Sequence, residues 1–323
     1  MKSCIFVYLV FAYRVVSSGD VDEEYGRGIS SSYSAPPQTC TLPTFRSTLE
    51  FVKPEQPPKL FGIDFDETFY SLHDKDAFKK NVEAFAEAKK KEFIPFFCTG
   101  RSRDATFRLV GDNFVTETNY NGYPGVYQNG ALVYDENGNV IYSQPLSKEF
   151  IRKTCELVTS NPSTGAVLFT RDGYYSPAKV TDPMSRYIQE RELPDPEIKT
   201  TEEIVELEIY KIYLAANHLD FPGFEQGKDY VAKVDLPGSW DIGSGDLNKA
   251  LGLKKLMEHY GIPPEECAFI GNGDNDIEAM ELSNLSFAVG NAPAEVKKHA
   301  KIVLDKTCDQ GAVAEALGLV YSL

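Results

Sequence analysis

Short apolar runs alternate with amphipathic stretches along most of the chain from residue 59 onward. Apolar runs bounded by polar residues predict buried strands, and apolar residues three or four positions apart predict helices. The pattern predicts strands over 60–64, 93–98, 267–270 and 286–289, helices over 76–91, 247–260, 277–282, 296–300 and 313–317, and a hairpin joining 131–134 to 140–142. Such alternation is typical of an α/β fold with a mostly parallel sheet.

The segment over 143–235 departs from this alternation. It predicts a helix over 149–159, a strand over 166–170, a second helix over 183–191 and an alternating apolar segment over 207–214. This mixture predicts a separate α+β domain. We therefore expect a Rossmann-like core over 59–142 and 236–323, interrupted by an inserted cap domain over 143–235 that covers a substrate site.

The N-terminal residues have the pattern of a secretory signal peptide. Lys2 precedes an apolar run over 4–13 that is too short to span a bilayer, and the small residues up to Gly19 suit cleavage after Ser18. We predict a signal peptide over 1–18 and hence entry into the secretory pathway, with a buried strand in a cytoplasmic protein as the alternative. Residues 19–58 are rich in acidic residues, Ser and Pro, which predicts a disordered linker.

The composition is that of a globular protein, but the charge is strongly negative. The chain has 323 residues, 42% hydrophobic and 25% charged, and a formal net charge of −15. This charge argues against nucleic acid or an anionic membrane as partner. An anionic substrate would need a cation or local basic residues, which favours a metal site. The six cysteines form no CxxC pair, and Cys98 and Cys155 are expected to be buried thiols.

Two acids directly follow the first predicted core strand. Asp64 and Asp66 stand two residues apart, at a point where a parallel sheet faces its ligand crevice. One carboxylate could attack phosphorus while the other handles the proton of the leaving group, with a divalent cation between them. A solvated turn is the alternative for these residues taken alone.

Polar groups also follow other predicted strands. Thr99, beside Gly100, can bind phosphate together with nearby amides, although a helix cap is the alternative. Lys249 can neutralise a phosphoryl oxygen, or can be an ordinary solvated lysine. Acidic and amide oxygens in the turn over 271–276 can complete an oxygen shell for Mg²⁺.

Taken in order, these motifs resemble those of the haloacid dehalogenase (HAD) superfamily, specifically its Cof-type sugar-phosphatase branch with a type C2B cap. The first motif, DxDx[TV], corresponds to DFDET over 64–68, the second to Thr99, and the third to Lys249. The fourth, usually GDGxND, corresponds to GNGDND over 271–276. The flanking QNGA over 128–131 and VGNAP over 289–293 also match, so the resemblance spans about 59–318.

The resemblance implies roles for individual residues. Asp64 would be the nucleophile that forms an aspartyl-phosphate, and Asp66 the general acid and then the base that activates water. Thr99 and Lys249 would hold the transferring phosphoryl group. The implied substrate-binding residues are Thr99, Gly100, Arg101, Asn129, Gly130 and Asn275. The implied Mg²⁺ ligands are Asp64, the backbone carbonyl of Asp66, Asn272 and Asp276.

Two positions depart from the family pattern. Glu67 stands where the branch usually has Gly, and it could alter the turn or reach toward the cap. Asn272 replaces the first Asp of the fourth motif, which is normally a direct Mg²⁺ ligand. An amide oxygen can still coordinate, but with weaker electrostatics. Asp274 could compensate, and we expect Mg²⁺ binding that is weaker than in relatives.

The leading functional hypothesis is a Mg²⁺-dependent phosphatase of small phosphorylated metabolites, in particular sugar phosphates. A phosphomutase and a catalytically weakened phosphosugar-binding protein are the alternatives. We expect a small phosphorylated substrate, no nucleic acid partner and no stable membrane span, and the oligomeric state is left open.

Overall fold

The computed structural model describes residues 46–47, 51–71, 73–180, 182–236 and 238–323. The predicted signal peptide over 1–18 lies outside the described residues, as does most of the predicted linker over 19–58. Within the described part, no helix is long and apolar enough to cross a membrane.

The strands and helices follow the predicted alternation closely. The strands are β1 (Arg46–Ser47), β2 (Leu60–Ile63), β3 (Ile94–Phe97), β4 (Gly125–Tyr127), β5 (Leu132–Tyr134), β6 (Val140–Ser143), β7 (Gly165–Phe169), β8 (Tyr174–Ser176), β9 (Glu197–Ile198), β10 (Lys211–Ala215), β11 (Tyr230–Leu236), β12 (Ser239–Ser244), β13 (Cys267–Gly271), β14 (Leu285–Ala288) and β15 (Ile302–Val303). The helices are α1 (Lys75–Lys90), α2 (Arg103–Thr118), α3 (Lys148–Ser160), α4 (Asp182–Glu190), α5 (Thr201–Val205), α6 (Lys249–Tyr260), α7 (Ile277–Leu282), α8 (Ala294–Lys297) and α9 (Ala312–Tyr321).

The core is a parallel sheet with the strand order β1-β15-β14-β13-β2-β3. Strands β2, β3, β13 and β14 are largely buried on both faces, which explains why they read as continuous apolar runs. Helix α1 packs against α2, α9 and β3, while α7 packs against β13 and β14. The predicted α/β core is therefore confirmed. Strand β1 lies in the segment that was expected to be a linker, yet it pairs with β15. The sequence did not predict this strand, because two residues are too few to show the alternation of a strand.

Local capping sets where the first helix begins. The side chain of Asp74 accepts hydrogen bonds from the backbone N–H groups of Asp76 and Ala77, satisfying donors at the start of α1. Val82 and Phe85 lie on its buried face, as the apolar spacing predicted. This packing holds α1 against the edge strand β3, whose end carries one of the candidate site residues.

The inserted domain contains a second sheet with the order β11-β12-β10-β7-β8-β9. Strand β10 alternates between its two faces: Ile212 and Leu214 pack with the α3 side, whereas Tyr213 and Ala215 pack with the α4 side. This sheet includes β12, so it continues past the boundary expected at residue 235. The pairing of β12 with both β10 and β11 decides this boundary, and strand pairing is a tertiary property.

The cysteine prediction is confirmed where the structure describes it. Cys98 and Cys155 are buried and free, as are Cys267 and Cys308. Burial raises the pKa of the Cys155 thiol to about 11, so this thiol stays protonated at neutral pH.

Candidate active site

Three neighbouring strands of the core sheet bring the predicted site residues together. Ile63 of β2 pairs with Ile270 of β13, and with Phe97 of β3 on its other side. Because the strands are parallel, their carboxyl ends lie at one edge of the sheet. Asp64, Thr99 and the turn after Gly271 consequently meet at that edge.

Lys249 joins this edge from the start of α6. Its Nζ lies 2.5 Å from Asp64 Oδ1 and 2.7 Å from Asp276 Oδ1, and its side chain is fully buried. Lys249 is therefore a buried counter-ion and not a solvated surface lysine. Asp64 itself is 5% exposed, which excludes the solvated turn as its environment.

Gly130 allows α6 to approach this closely. Its φ of +99° favours glycine, and a Cβ atom there would lie 2.3 Å from the backbone oxygen of Asn248, the N-cap of α6. Gly130 was predicted to bind substrate, and its position shows a packing role against the helix that carries Lys249.

At this edge of the sheet, two buried carboxyl groups contact one lysine. Burial and the nearby Asp276 raise the pKa of Asp64 to about 7, against the opposing effect of Lys249. Burial alone would lower the pKa of Lys249, but Asp276 and Asp64 raise it above its ordinary value. The lysine is charged, and its single positive charge is shared by two buried carboxyl groups.

Asp66 has a different partner. Arg101 donates three hydrogen bonds to its carboxylate, at 3.0, 2.8 and 2.7 Å. Burial would raise the pKa of Asp66, but the hydrogen bonds and charge of Arg101 outweigh burial and lower it. Arg101 also donates to the backbone oxygen of Arg191 in the cap, at 3.2 Å. The predicted substrate-binding residue Arg101 thus links the candidate acid/base to the cap.

The remaining predicted binding residues form one hydrogen-bonded group. Thr99 Oγ1 accepts from the backbone N–H of Arg101 at 3.1 Å, and Thr99 is fully buried. The backbone N–H of Asn129 donates to the Thr99 carbonyl at 3.0 Å, and Asn275 Nδ2 donates to Asn129 Oδ1 at 3.0 Å. Ser102, not Thr99, caps α2, so the helix-cap alternative for Thr99 is wrong.

The donor set at the end of β2 and β13 suits Mg²⁺. It offers the Asp64 carboxylate, the Asp66 backbone carbonyl and the Asn272 amide oxygen, which are the hard oxygen donors that Mg²⁺ prefers. Burial and the charge of Asp276 raise the pKa of Asp64, and a bound cation would oppose both by stabilising the ionised carboxylate. The residues present therefore fit the group that the motifs imply.

Asp276 has its carboxylate oxygens engaged by protein donors. Oδ1 accepts from Lys249, and Oδ2 accepts from the backbone N–H groups of Asn272 and Gly273, at 3.0 and 2.9 Å. Gly271 makes room for this carboxylate, because a Cβ atom there would lie 2.4 Å from Asp276. Asp276 holds the lysine and the turn, and its role as a metal ligand stays a prediction.

A second acidic group lies elsewhere. Asp135, Glu136 and His259 bring one ligand atom each within 4.8 Å of one another, at the β5–β6 turn and the end of α6 opposite Lys249. Asp135 accepts from Asn139, and Glu136 accepts from Tyr260. These contacts explain the group as part of a turn, separate from the candidate active site.

A cavity of about 600 Å³ joins the core edge to the cap. Sequence reasoning missed its cap residues, which include Phe169, Tyr187, Glu190, Arg191, Lys211 and Asp241. Lys211 lies 2.6 Å from Asp241 and donates to the backbone oxygen of Gly100 at 3.2 Å. A charged residue at the start of a strand that is otherwise apolar was the available signal for Lys211. A second cavity, of about 780 Å³, shares Asn129, Asn272 and Lys211 with the first.

The chain matches a known protein family over most of its length. A family model described as haloacid dehalogenase-like hydrolase matches residues 61–317. The chain belongs to this family. The resemblance inferred from the motifs is confirmed, and the α/β core with its sheet-rich cap is the fold of the family's solved structures.

Individual relatives cover different shares of the chain. The HAD/COF-like hydrolase structure from Plasmodium vivax has 25% identity and a TM-score of 0.70, covering 82% of this chain and 96% of that one. The 5-amino-6-(5-phospho-D-ribitylamino)uracil phosphatase YbjI of Escherichia coli (strain K12) is 26% identical over 253 residues, covering 75% of this chain and 89% of that protein.

A plant relative is much longer than the part it shares with this chain. The chloroplastic endoribonuclease YBEY of Arabidopsis thaliana is 26% identical over 261 residues, covering 73% of this chain. The chain spans 42% of the length of that protein. The name of the Arabidopsis protein therefore assigns no activity to the shared part.

Proposed function

We propose that this protein is a Mg²⁺-dependent phosphatase that hydrolyses small phosphorylated metabolites through an aspartyl-phosphate. The observation that carries the proposal is the buried contact of Asp64 with Lys249 at the base of a cleft, beside Asp66. A nucleophilic carboxylate, a phosphoryl-binding cation and an acid/base are the groups that phosphomonoester hydrolysis requires.

The side chains act in two steps. Asp64 attacks phosphorus in line with the ester oxygen, the P–O bond breaks, and the leaving oxygen takes a proton from Asp66. A water molecule then attacks the phosphorus while Asp66 accepts its proton, which releases inorganic phosphate and restores Asp64. Lys249 and Thr99 hold the phosphoryl oxygens throughout. When bound by Asp64, the Asp66 carbonyl and Asn272, Mg²⁺ would reduce the repulsion between the carboxylate and the phosphoryl group.

Arg101 favours one of these two steps. Its hydrogen bonds stabilise ionised Asp66, which is the form needed to accept a proton from water. Protonated Asp66 is needed first, so the Arg101 contact has to open when substrate binds. The bond from Arg101 to the Arg191 carbonyl makes this opening depend on the cap.

We further propose that the leaving group is a sugar or another polyol. The relative from Escherichia coli is named for a phosphorylated ribityl compound. Both cavities are lined by Lys211, Asp241, Asn129 and Asn275, whose charged and amide groups suit hydroxyl hydrogen bonding.

The test is a phosphate-release assay on a panel of sugar and polyol phosphates, with Mg²⁺ and with EDTA. We expect Mg²⁺-dependent turnover that Asp64→Asn abolishes. Turnover by Asp64→Asn at the wild-type rate would refute the aspartyl-phosphate mechanism. Binding of the esters without hydrolysis would instead favour the phosphosugar-binding alternative, which the amide at Asn272 suggests. Net transfer of phosphate between hydroxyl groups of one sugar would favour the phosphomutase.

A further inference from the structure

Glu67 has a backbone conformation that ordinarily favours glycine. Its φ is +53°, in the left-handed region that side-chain-bearing residues rarely adopt. The backbone is held there from both sides, because the Glu67 N–H donates to Tyr70 at 3.1 Å and its carbonyl accepts from Asn291 Nδ2 at 2.9 Å. Since Glu92 has a similar φ of +65°, the backbone conformation alone assigns no role, and the contacts of the Glu67 side chain have to decide.

The carboxylate of Glu67 meets the other unusual residue of the site. Glu67 Oε2 lies 3.5 Å from Asn272 Nδ2, and both residues line both cavities. The hydroxyl group of Thr68 donates a hydrogen bond to Asn272 Oδ1 at 3.1 Å, which turns the amide nitrogen of Asn272 toward Glu67. An aspartate at position 272 would place a second negative oxygen against the glutamate.

The other carboxylates at this edge already have partners. Asp66 binds Arg101, while Asp276 accepts from Lys249 and from two backbone N–H groups. Among the described residues, no lysine, arginine or histidine forms an ion pair with Glu67. Its negative charge is thus available at the mouth of the site, beside the amide of Asn272.

We propose that Glu67 and Asn272 form a matched pair in which Glu67 supplies the carboxylate of the cation site that Asn272 lacks. Glu67 with Asn272 carries the same formal charge as the Gly and Asp that the family pattern has at these two positions. In this chain the negative charge lies on the loop after β2, and in the family pattern it lies on the turn after β13. This assignment replaces Asp274 as the compensating acid: both residues are exposed, but Glu67 contacts Asn272 and lines both cavities, whereas Asp274 lines only the second. It rests on the proposed Mg²⁺ dependence of the enzyme.

The test measures Mg²⁺ binding to the full chain by titration calorimetry, independently of turnover. Glu67→Gln should weaken Mg²⁺ binding by about tenfold to a hundredfold, the range seen when a group around a metal site is lost. Asp274→Asn, the matched control, removes a carboxylate two residues from Asn272 and should leave the affinity within about twofold. Glu67→Gln/Asn272→Asp should recover most of the lost affinity, because the carboxylate returns on the other side of the pair.

A second readout needs no metal. In EDTA, Asn272→Asp should lower the melting temperature of the protein, and the same change made in Glu67→Gln should lower it much less, because the repelling charge is gone. If Glu67→Gln does not fold, Glu67→Gly takes its place as the variant that removes the carboxylate. Glu92→Gly controls for the backbone, since Glu92 is exposed and has a φ of +65°.

The titration and the hydrolysis assay together separate failure of the pair from failure of the proposed function. Wild-type affinity in Glu67→Gln, or an equal loss in Asp274→Asn, overturns the matched pair and leaves the phosphatase proposal standing. Binding that depends on Glu67 in a protein that hydrolyses no phosphate ester supports the pair and refutes the proposed function. A wild-type chain that binds no Mg²⁺ overturns the pair together with the Mg²⁺ dependence.

Discussion

Replacing Lys249 with methionine tests whether the site depends on one buried positive charge. Methionine has a similar length and no charge, so the change removes the cation and leaves Asp64 and Asp276 facing each other. These carboxyl groups are 5% and 0% exposed, so bulk water compensates little for the loss of the lysine. Both lose a short contact, of 2.5 and 2.7 Å respectively.

The expected loss of unfolding free energy is about 3–5 kcal/mol, the range found when one partner of a buried ion pair is removed. Such a loss is a large part of the ~5–15 kcal/mol by which domains are stable, so the variant should fold but unfold at clearly lower urea concentration. The exposed lysine of the same helix provides the control: Lys254→Met should change stability by no more than about 0.5 kcal/mol.

The assay is urea unfolding followed by circular dichroism, in EDTA and at pH 8. EDTA keeps a cation from replacing the lysine, and at pH 8 the wild-type Asp64, with its pKa of about 7, is mostly ionised. Without Lys249 the pKa of Asp64 rises further, so the loss in the variant includes the cost of protonating this buried carboxylate. Adding Asp276→Asn to Lys249→Met should restore part of the stability, because one of the two unpaired carboxylates is then gone. If Lys249→Met costs no more than Lys254→Met, the lysine is not a buried counter-ion and this view of the site is refuted.

Three further predictions concern packing, specificity and pH. Gly130→Ala should destabilise the protein by several kcal/mol in urea unfolding, because its Cβ would collide with Asn248. Gly261→Ala, with a left-handed φ of +64° and open space around its Cβ, should cost about 1–2 kcal/mol; equal losses would contradict the packing role. Lys211→Met should lower kcat/KM for polyol phosphates about tenfold or more while sparing p-nitrophenyl phosphate, and a uniform loss would argue against hydroxyl recognition. The hydrogen bond from Asn139 lowers the pKa of Asp135, so the stability that its ionised form contributes is present above pH 3.8 and is lost as the pH falls through the lower folded value. In urea unfolding, Asp135→Asn should therefore be less stable than wild type at pH 7, and the difference should shrink as the pH falls below 3.8; a constant difference would contradict this.

The order of strands, helices and motifs could be read from the sequence because these depend on near neighbours. The apolar run before Asp64 and the helical period over 76–91 are local, and the structure places β2 and α1 there within a few residues. The end of the cap sheet is not local: β12 lies beyond the boundary predicted at residue 235 and joins this sheet through its pairing with β10 and β11. The sequence of a strand does not specify which sheet the strand joins.

The positions of the site residues could likewise be predicted, but not all of their partners. Parallel strands must end at one edge, so Asp64 and Thr99 were expected to meet. The pairing of Arg101 with Asp66 depends on how the turn after β3 folds back, and the place of Lys211 depends on the cap. Both contacts join segments whose relative position no local pattern encodes.

By itself, therefore, the sequence determined the fold class, the family and the acids at the end of β2. Only the tertiary structure showed that Lys249 is buried between two carboxylates, and that Glu67 and Asn272, the two departures from the family pattern, touch each other. The physical reason is the range of the interactions. Strand and helix formation is decided over a few consecutive residues, whereas the charge balance of a site is decided by groups up to 205 residues apart that only the folded chain brings within 3.5 Å.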